Sequence, residues 1–560
     1  MKNLTIFSLA IATLALMGCT KTLKPLSSDN FSANPTPLAV HGQKVDAAVT
    51  ANFPTNYFEK NAVLKITPVL VSDYQQWTAE PYFVQGEKVR DNNPVINYEN
   101  GGNVTIPVSF NYEPAMDKSE LRLFFDVTQK SKQYTLTDVK VDEGVIATEA
   151  LADAATVAPA IAPDKFQRVI NEKYTADIKF LVNQTNIRAS ELQQESVKSL
   201  QQTIKDANAD EKKEIEEINI SSYASPEGGV EVNTRVASGR EKSTQQYLDK
   251  ELKKNGIDNN TLLTADFTAQ DWEGFRQLVS QSNIQDKNLI LSVLEMYKDP
   301  ETREKEIRNL SSVFDQLAKE VLPQLRRSRL TASINTIGKS DEEMKEAYNN
   351  DINSLTVDEL LYYASTLKNV NDQAQAYKRC LDIYPNDYRA ANNLGSCLYK
   401  EGQYDQAKSY FEKAASLNKQ SKEPLLNMAL CDMLNDNLEN ANAKLGQAAG
   451  VPNMGEALGT YLIKTGDYNA AVKAFAQSKT NNAALAQILT GDYSSARNTL
   501  SAVANPDAIT HYLMAIIGAR TNNEDIVTSS LKKACSLNSA LANKAKNDIE
   551  FSKFNLSNIF

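Results

Sequence analysis

The sequence predicts a multidomain α+β protein. Its parts are an N-terminal β-sandwich, a middle α/β sandwich with a helical insert, and a C-terminal all-α solenoid. Three observations carry this reading. Apolar residues alternate with a period of two between residues 44 and 146. Strand-like and helix-like runs alternate between 165 and 340. From 350 to 545, small and aromatic residues recur about every 34 residues.

The chain opens with Lys2, an uncharged apolar run from Leu4 to Leu16, and the tetrapeptide Leu16-Met17-Gly18-Cys19. A basic start before about 7–15 apolar residues is the layout of a secretory signal, not of a membrane span. A small residue followed by Cys at the end of such a run resembles the bacterial lipoprotein box. That resemblance implies cleavage after Gly18 and acylation of Cys19. The alternative is an uncleaved anchor with an incidental Cys. Segment 1–18 is then the signal peptide, and 19–43 the lipid anchor and flexible tether, with Asn-Pro-Thr-Pro at its end. Thr20-Lys21-Thr22-Leu23-Lys24 lacks the aspartate that retains enterobacterial lipoproteins at the inner membrane. It also lacks the acidic cluster that marks surface export in Bacteroidota lipoproteins. The expected location is the outer membrane, anchored in its lipid and facing the periplasm.

In the β-region 44–146, Val104, Ile106, Val108, Phe110 and Tyr112 share one strand face, and Pro107 on the other face predicts an edge or a bulge. Leu121 to Val127 repeats the alternation. Turn signals at Asn92-Asn-Pro94, Glu99 to Gly102 and Asp142-Glu-Gly144 separate the runs, as in a small sandwich. Segment 147–164, rich in Ala with Pro159 and Pro163, is expected to be a linker.

The middle domain, 165–340, is read as strand (177–182), helix (190–207), strand (215–221), helix (233–254), strand (262–266), helical insert (269–323) and closing strand (329–334). Trp272, Phe275, Leu278 and Val279 are spaced for one helix face.

Between 350 and 545, Asn-Leu-Gly395 is followed by Gly402, Tyr404, Ala407, Phe411 and Ala414. One period on, Ala407 maps to Ala441 and Ala414 to Ala448. One period back, Phe411 maps to Tyr377. The pattern closely resembles the tetratricopeptide (TPR) family, with five or six repeats, the later ones shorter. Small residues such as Gly395 and Ala407 let paired helices cross closely, and Phe411 fills the gap between neighbours. The resemblance implies a concave groove for a protein or peptide ligand. Segment 546–560 is left as a C-terminal tail.

The stretch from Ser222 through Ser225-Pro-Glu227-Gly228, Asn233 and Arg240 resembles the OmpA C-terminal, peptidoglycan-associated family over roughly 170–340. Gly228, Asn233 and Arg240 match in register. In that family an Asp takes the ammonium and an Arg the carboxylate of the diaminopimelate in a peptidoglycan stem peptide. Recognising a zwitterion calls for one anion and one guanidinium held at fixed separation. Ser225 stands where the family has its Asp, and Glu227 is the candidate substitute. Ser225, Glu227, Asn233 and Arg240 are thus the candidate wall-binding residues. The Ser-Pro-Glu-Gly loop and the insert resemble a Bacteroidota subgroup. Arg326, Arg327 and Arg329 read either as a solvated strand edge or as a contact for wall polymer.

Composition removes several function classes. A net charge of −10 without a basic, aromatic-studded stretch argues against nucleic acid. Two histidines, His41 and His511, make His-based nucleophilic or zinc chemistry improbable. Cys380, Cys397, Cys431 and Cys535 lack zinc spacing and read as buried apolar residues rather than disulfides. No second apolar run reaches the roughly 20 residues of a membrane helix. No catalytic residue, metal or cofactor is expected. Two readings follow: an envelope protein joining outer membrane to peptidoglycan and docking partners through its repeats, or an accessory scaffold of an assembly or secretion complex whose OmpA-like domain no longer binds the wall.

Overall fold

The structure is a computed structural model that describes residues 22–257, 262–284, 286–309, 311–557 and 559. Cys19 and the signal segment lie outside the described residues. The chain forms two compact units. One combines the chain up to Pro163 with Ala364–Phe560, and the other is Asp164–Tyr363.

The first unit begins with a β-sandwich. In one sheet, Lys44–Phe53 is flanked by Phe31–Asn34 and Leu38–His41 along one side and by Gly102–Asn111 along the other, and Val145–Ile146 adds beside Leu38–His41. The second sheet runs Lys132–Glu143, Glu120–Gln129, Ala62–Val71, Tyr82–Gly86 and Val95–Ile96, and Gln76–Thr78 also pairs with Ala62–Val71. The inward faces carry Val104, Ile106, Val108 and Phe110 from the first sheet and Leu121, Leu123, Phe125 and Val127 from the second. Alternation buries every other side chain, so the period of two is the direct cause of this core. Pro107 sits on Gly102–Asn111, which pairs on one side only, where its missing N–H leaves no ladder bond unmade.

Over its described residues, 22–43, the expected tether is packed chain rather than a flexible segment. Leu23 and Leu26 are buried in the sandwich core, and two strands precede residue 43. Apolar side chains spaced along 23–40 find a sheet to cover, so the domain starts about twenty residues earlier than composition suggested.

Ala364–Phe560 carries the helical pairs. After Val370–Ile383 come Tyr388–Lys400 with Tyr404–Leu417, Glu423–Leu434 with Leu438–Gln447, Met454–Lys464 with Tyr468–Phe475, Asn481–Leu489 with Tyr493–Ser501, and Ala508–Arg520 with Glu524–Leu537. Helix Val357–Thr366 carries the boundary between units. A Cβ on Gly395 would lie 2.8 Å from Phe411 Cε1, and one on Gly459 would lie 2.6 Å from Phe475 Cε2. Each pair closes because a bare backbone on the first helix receives an aromatic ring from the second. Ala407, Phe411, Ala414, Ala441 and Ala448 are all buried. The tail expected at 546–560 is also packed: Phe551 is buried against Tyr512, with ring centroids 5.6 Å apart.

The sandwich and the solenoid meet within this unit. His41 packs edge-on to Tyr468 at 5.1 Å. The buried Glu149 carboxylate accepts the backbone N–H groups of Gly42 at 2.8 Å and Gln43 at 3.1 Å, and the Tyr468 hydroxyl.

Asp164–Tyr363 is a two-layer α/β sandwich. Its sheet runs Val169–Lys179, Arg327–Ile337, Lys213–Tyr223, Leu263–Thr268, and only the last pair is parallel. Helices Glu195–Ala209 and Val230–Lys254 bury Val197, Leu200, Ile204, Leu248 and Leu252 against Ile178, Ile218, Ile220 and Leu330. The opposite sheet face is polar, with Asn219, Ser221 and Asp266 hydrogen-bonded across strands. The insert is helical as expected, and Phe275 and Val279 anchor a separate small core with Ile290, Leu317 and Leu325.

Candidate functional site

The loop Ala224–Gly229 joins strand Lys213–Tyr223 to helix Val230–Lys254. It forms one wall of a cleft of about 220 Å³, lined also by Val182, Asn183, Asn233, Arg240 and Arg326. All four sequence-selected residues line this cleft.

Their roles differ. Asn233, on the first turn of the helix, donates its amide to the carbonyls of Ser225 at 3.1 Å and Gly228 at 2.8 Å. It fixes the loop rather than presenting a group to solvent. Ser225 Oγ donates to Glu227 Oε1 at 3.0 Å. Glu227 is claimed by Arg326, whose Nη2 reaches Oε1 at 2.7 Å and Oε2 at 3.0 Å and whose Nε reaches Oε1 at 3.0 Å. A carboxylate so gripped has little left for a ligand ammonium.

Arg240 is 1% exposed. Its Nε, Nη1 and Nη2 donate to the carbonyls of Gln184 at 3.0 Å, Tyr223 at 2.7 Å and Leu181 at 3.1 Å, and its guanidinium lies 5.2 Å from the Phe180 ring centre. Among the described residues no carboxylate forms an ion pair with it. Burial, with the nearby charge of Arg326, lowers its pKa to about 10. A guanidinium has five N–H donors, three of which these carbonyls use, and the side chain lines the cleft. The balance is two guanidiniums to one carboxylate.

The basic cluster is not a solvated edge. Arg327 pairs with Asp271 at 3.0 Å with both side chains buried, and Arg329 forms a fork with Asp177 at 2.8 and 3.0 Å. Sequence reasoning placed Arg326 in that cluster and missed its part in the cleft, because its partner Glu227 is far away along the chain.

A second site lies in the first unit. Segment 147–164, expected as a free linker, lies in the groove of the repeats as far as Pro163. Asn427 accepts the N–H of Ala160 at 2.7 Å and donates to its carbonyl at 2.8 Å. Asn393 does the same with Ala162, at 2.8 and 3.0 Å. Asn482 does so with Asp153, at 3.1 and 2.8 Å. Asn392 and Ser396 also donate to the Ala160 carbonyl, and Tyr399 and Asn453 donate to those of Ala154 and Ala158. The stretch is rich in Ala, with Asp153 and Thr156 making local bonds of their own; the rest of its buried backbone must find partners, and these amides supply them. Sequence reasoning missed these asparagines. The available signal was that Asn393 and Asn427 stand one repeat period apart.

Three of the cysteines, Cys380, Cys397 and Cys431, are buried, and burial raises the thiols of Cys397 and Cys431 to about 11 and about 12. Among the described residues no cluster of His, Cys, Asp and Glu could hold a metal, and no helix is long and apolar enough to cross a membrane.

Residues 388–421 match the tetratricopeptide repeat family. This part of the chain is therefore a repeat module of the kind that mediates protein–protein interaction and is typically non-catalytic. Solved structures with helical likeness include the APC/C hetero-tetramer Cut9-Hcn1, at 17% identity and TM-score 0.32, covering 38% of this chain. The match spans less than half of that chain, 45%. A tetratricopeptide repeat protein from Parabacteroides merdae matches at 14% identity and TM-score 0.30, over 37% of this chain and 91% of that one. YrrB, described as a TPR protein with an unusual peptide-binding site, matches at 19% identity and TM-score 0.24, over 31% of this chain and 98% of that one. No curated protein matches the sequence.

Proposed function

We propose that this chain is a non-enzymatic, lipid-anchored scaffold of the bacterial outer membrane, facing the periplasm, that contacts peptidoglycan through the cleft at Arg240 and protein partners through its repeats. The observation that supports wall contact is the buried Arg240 guanidinium, which lines the cleft and, among the described residues, forms no ion pair with a carboxylate. A stem-peptide carboxylate would supply the missing charge, through contacts stronger than neutral hydrogen bonds. The anchor reading rests on Leu16-Met17-Gly18-Cys19.

A second reading is favoured by one detail. Ser225 replaces the family's anion, and Arg326 occupies Glu227, its nearest substitute. In that case the domain is scaffold only. The full chain should co-sediment with purified peptidoglycan, and free diaminopimelate should compete. Sedimentation by Ser225→Asp but not by wild type would decide for the scaffold. Cys19→Ala should abolish lipidation and leave unprocessed precursor; normal membrane retention of that variant would remove the anchor from the proposal.

A further inference from the structure

We propose that segment 152–162 is a cis ligand of the repeat groove, which holds that groove closed against any partner approaching the same face. The inference concerns the repeats and stands apart from wall binding.

Three asparagines, on the first helices of three different pairs, each take both the N–H and the C=O of one residue of the segment. A planar amide offers one donor edge and one acceptor, so it reads an extended backbone like the rung of a sheet, whatever the side chain. Side-chain room is restricted. Ala152, Ala154, Ala160 and Ala162 point inward and are buried, whereas Asp153, Ala158 and Ile161 are exposed. The ligand chemistry that fits is a peptide with one 3-10 turn, as at Ala154–Thr156, extended on either side of it, with alanines, Val157 and Pro159 at its buried positions.

The groove wall itself is polar. Asn392, Asn393, Asn427 and Asn482 are almost wholly buried beneath the segment. Without an occupant these amides can hydrogen-bond water, so the segment is replaceable in a way that a core strand is not. Its apolar contribution comes from small side chains, Ala154, Val157 and Ala160, which pack with Tyr399, Leu426 and Leu430. Tethering gives the segment an effective concentration in the millimolar range, so a free peptide competes at a disadvantage on the order of 10²–10⁴-fold.

The test uses the full chain and a fluorescent synthetic peptide with the sequence of residues 150–164. Glutamates at two of the inward alanines, Ala160→Glu with Ala162→Glu, should expel the segment. Wild type should not bind the peptide at micromolar concentration. The double variant should bind it at least about 100-fold more tightly than wild type. Adding Asn427→Ala should remove that binding. Equal binding by wild type and the double variant would show that the groove is not closed. A folded double variant that ignores the peptide would show that the groove is not a peptide site. Loss of the cooperative helical melt in the double variant would make the segment structural core, which also overturns the proposal. Binding that survives Asn427→Ala would place the peptide elsewhere.

Discussion

At the scale of single residues, Arg240 carries two demands at once. It closes three backbone carbonyls from two separate chain segments, and it lines the cleft. Arg240→Ala should therefore cost stability as well as any ligand affinity. Leaving those carbonyls unpaired should lower unfolding free energy on the order of 3 kcal/mol, read by denaturant titration. A variant as stable as wild type would mean that water replaces the guanidinium at little cost. Asp548 makes a pH-dependent case. Its carboxylate accepts from Tyr512 at 2.6 Å and from the Glu550 N–H at 3.0 Å, with Glu550, Asp117 and Lys544 also acting on this pair. Burial raises its pKa above the ordinary carboxylate value. The folded form then holds the proton more readily than the unfolded form. Its contribution to stability is full below the unfolded value and is lost as pH rises through the folded one. Melting temperature should fall less in Asp548→Asn than in wild type as pH rises from the ordinary carboxylate range toward neutrality. An identical pH dependence would exclude Asp548 as the source.

At the scale of elements, the repeat pairs rest on an exchange of volume between facing helices. Gly395→Val would drive two methyl groups into the Phe411 ring and should destabilise the solenoid by about 1–3 kcal/mol. Phe411→Leu in the same chain should recover part of that loss, because the two sites share one space. Thermal melts of the two single variants and the double variant test this, and strictly additive losses would refute the shared contact. Periodicity made these contacts readable in advance: Gly395, Ala407 and Phe411 are what a short interhelical distance requires. The same holds for the sandwich, where alternation along 104–112 and 121–127 named the core. The ends of domains were not readable. Leu23, Leu26 and Phe551 look like residues of a tether and a tail, because isolated apolar side chains carry no period. The groove segment was unreadable for a similar reason. Alanine and proline without polar side chains resemble a linker until the asparagines that receive them are known. In the cleft, the loop and Arg240 were legible from spacing. The grip of Arg326 on Glu227 was not, since ion pairs between distant segments leave no local pattern.

At the scale of the whole molecule, the first unit is discontinuous in sequence. Its sandwich and groove segment precede the α/β unit, and its solenoid follows it. The halves are joined by the asparagine contacts and by Glu149 with Gly42, Gln43 and Tyr468. Limited proteolysis within the helical insert should therefore nick the chain without separating it. The two products should co-elute on native size exclusion and part only in denaturant. Separation under native conditions would show that neither the groove contacts nor the pairing of strand Arg327–Ile337 with Val169–Lys179 and Lys213–Tyr223 holds the cut chain together.

The groove contacts also set an order of events during synthesis. The residues that Asn393, Asn427 and Asn482 receive are made 231, 267 and 329 residues before them. At about 5–20 residues per second, the sandwich and the segment wait for many seconds with backbone amides uncovered. The unit cannot finish folding until the last helices exist, so its completion is a late, long-range closure rather than a sequential build. A chain interrupted before the final repeats would expose both an unfilled groove lining and an unsatisfied extended strand. Quality control would meet those two surfaces together, on every truncated copy.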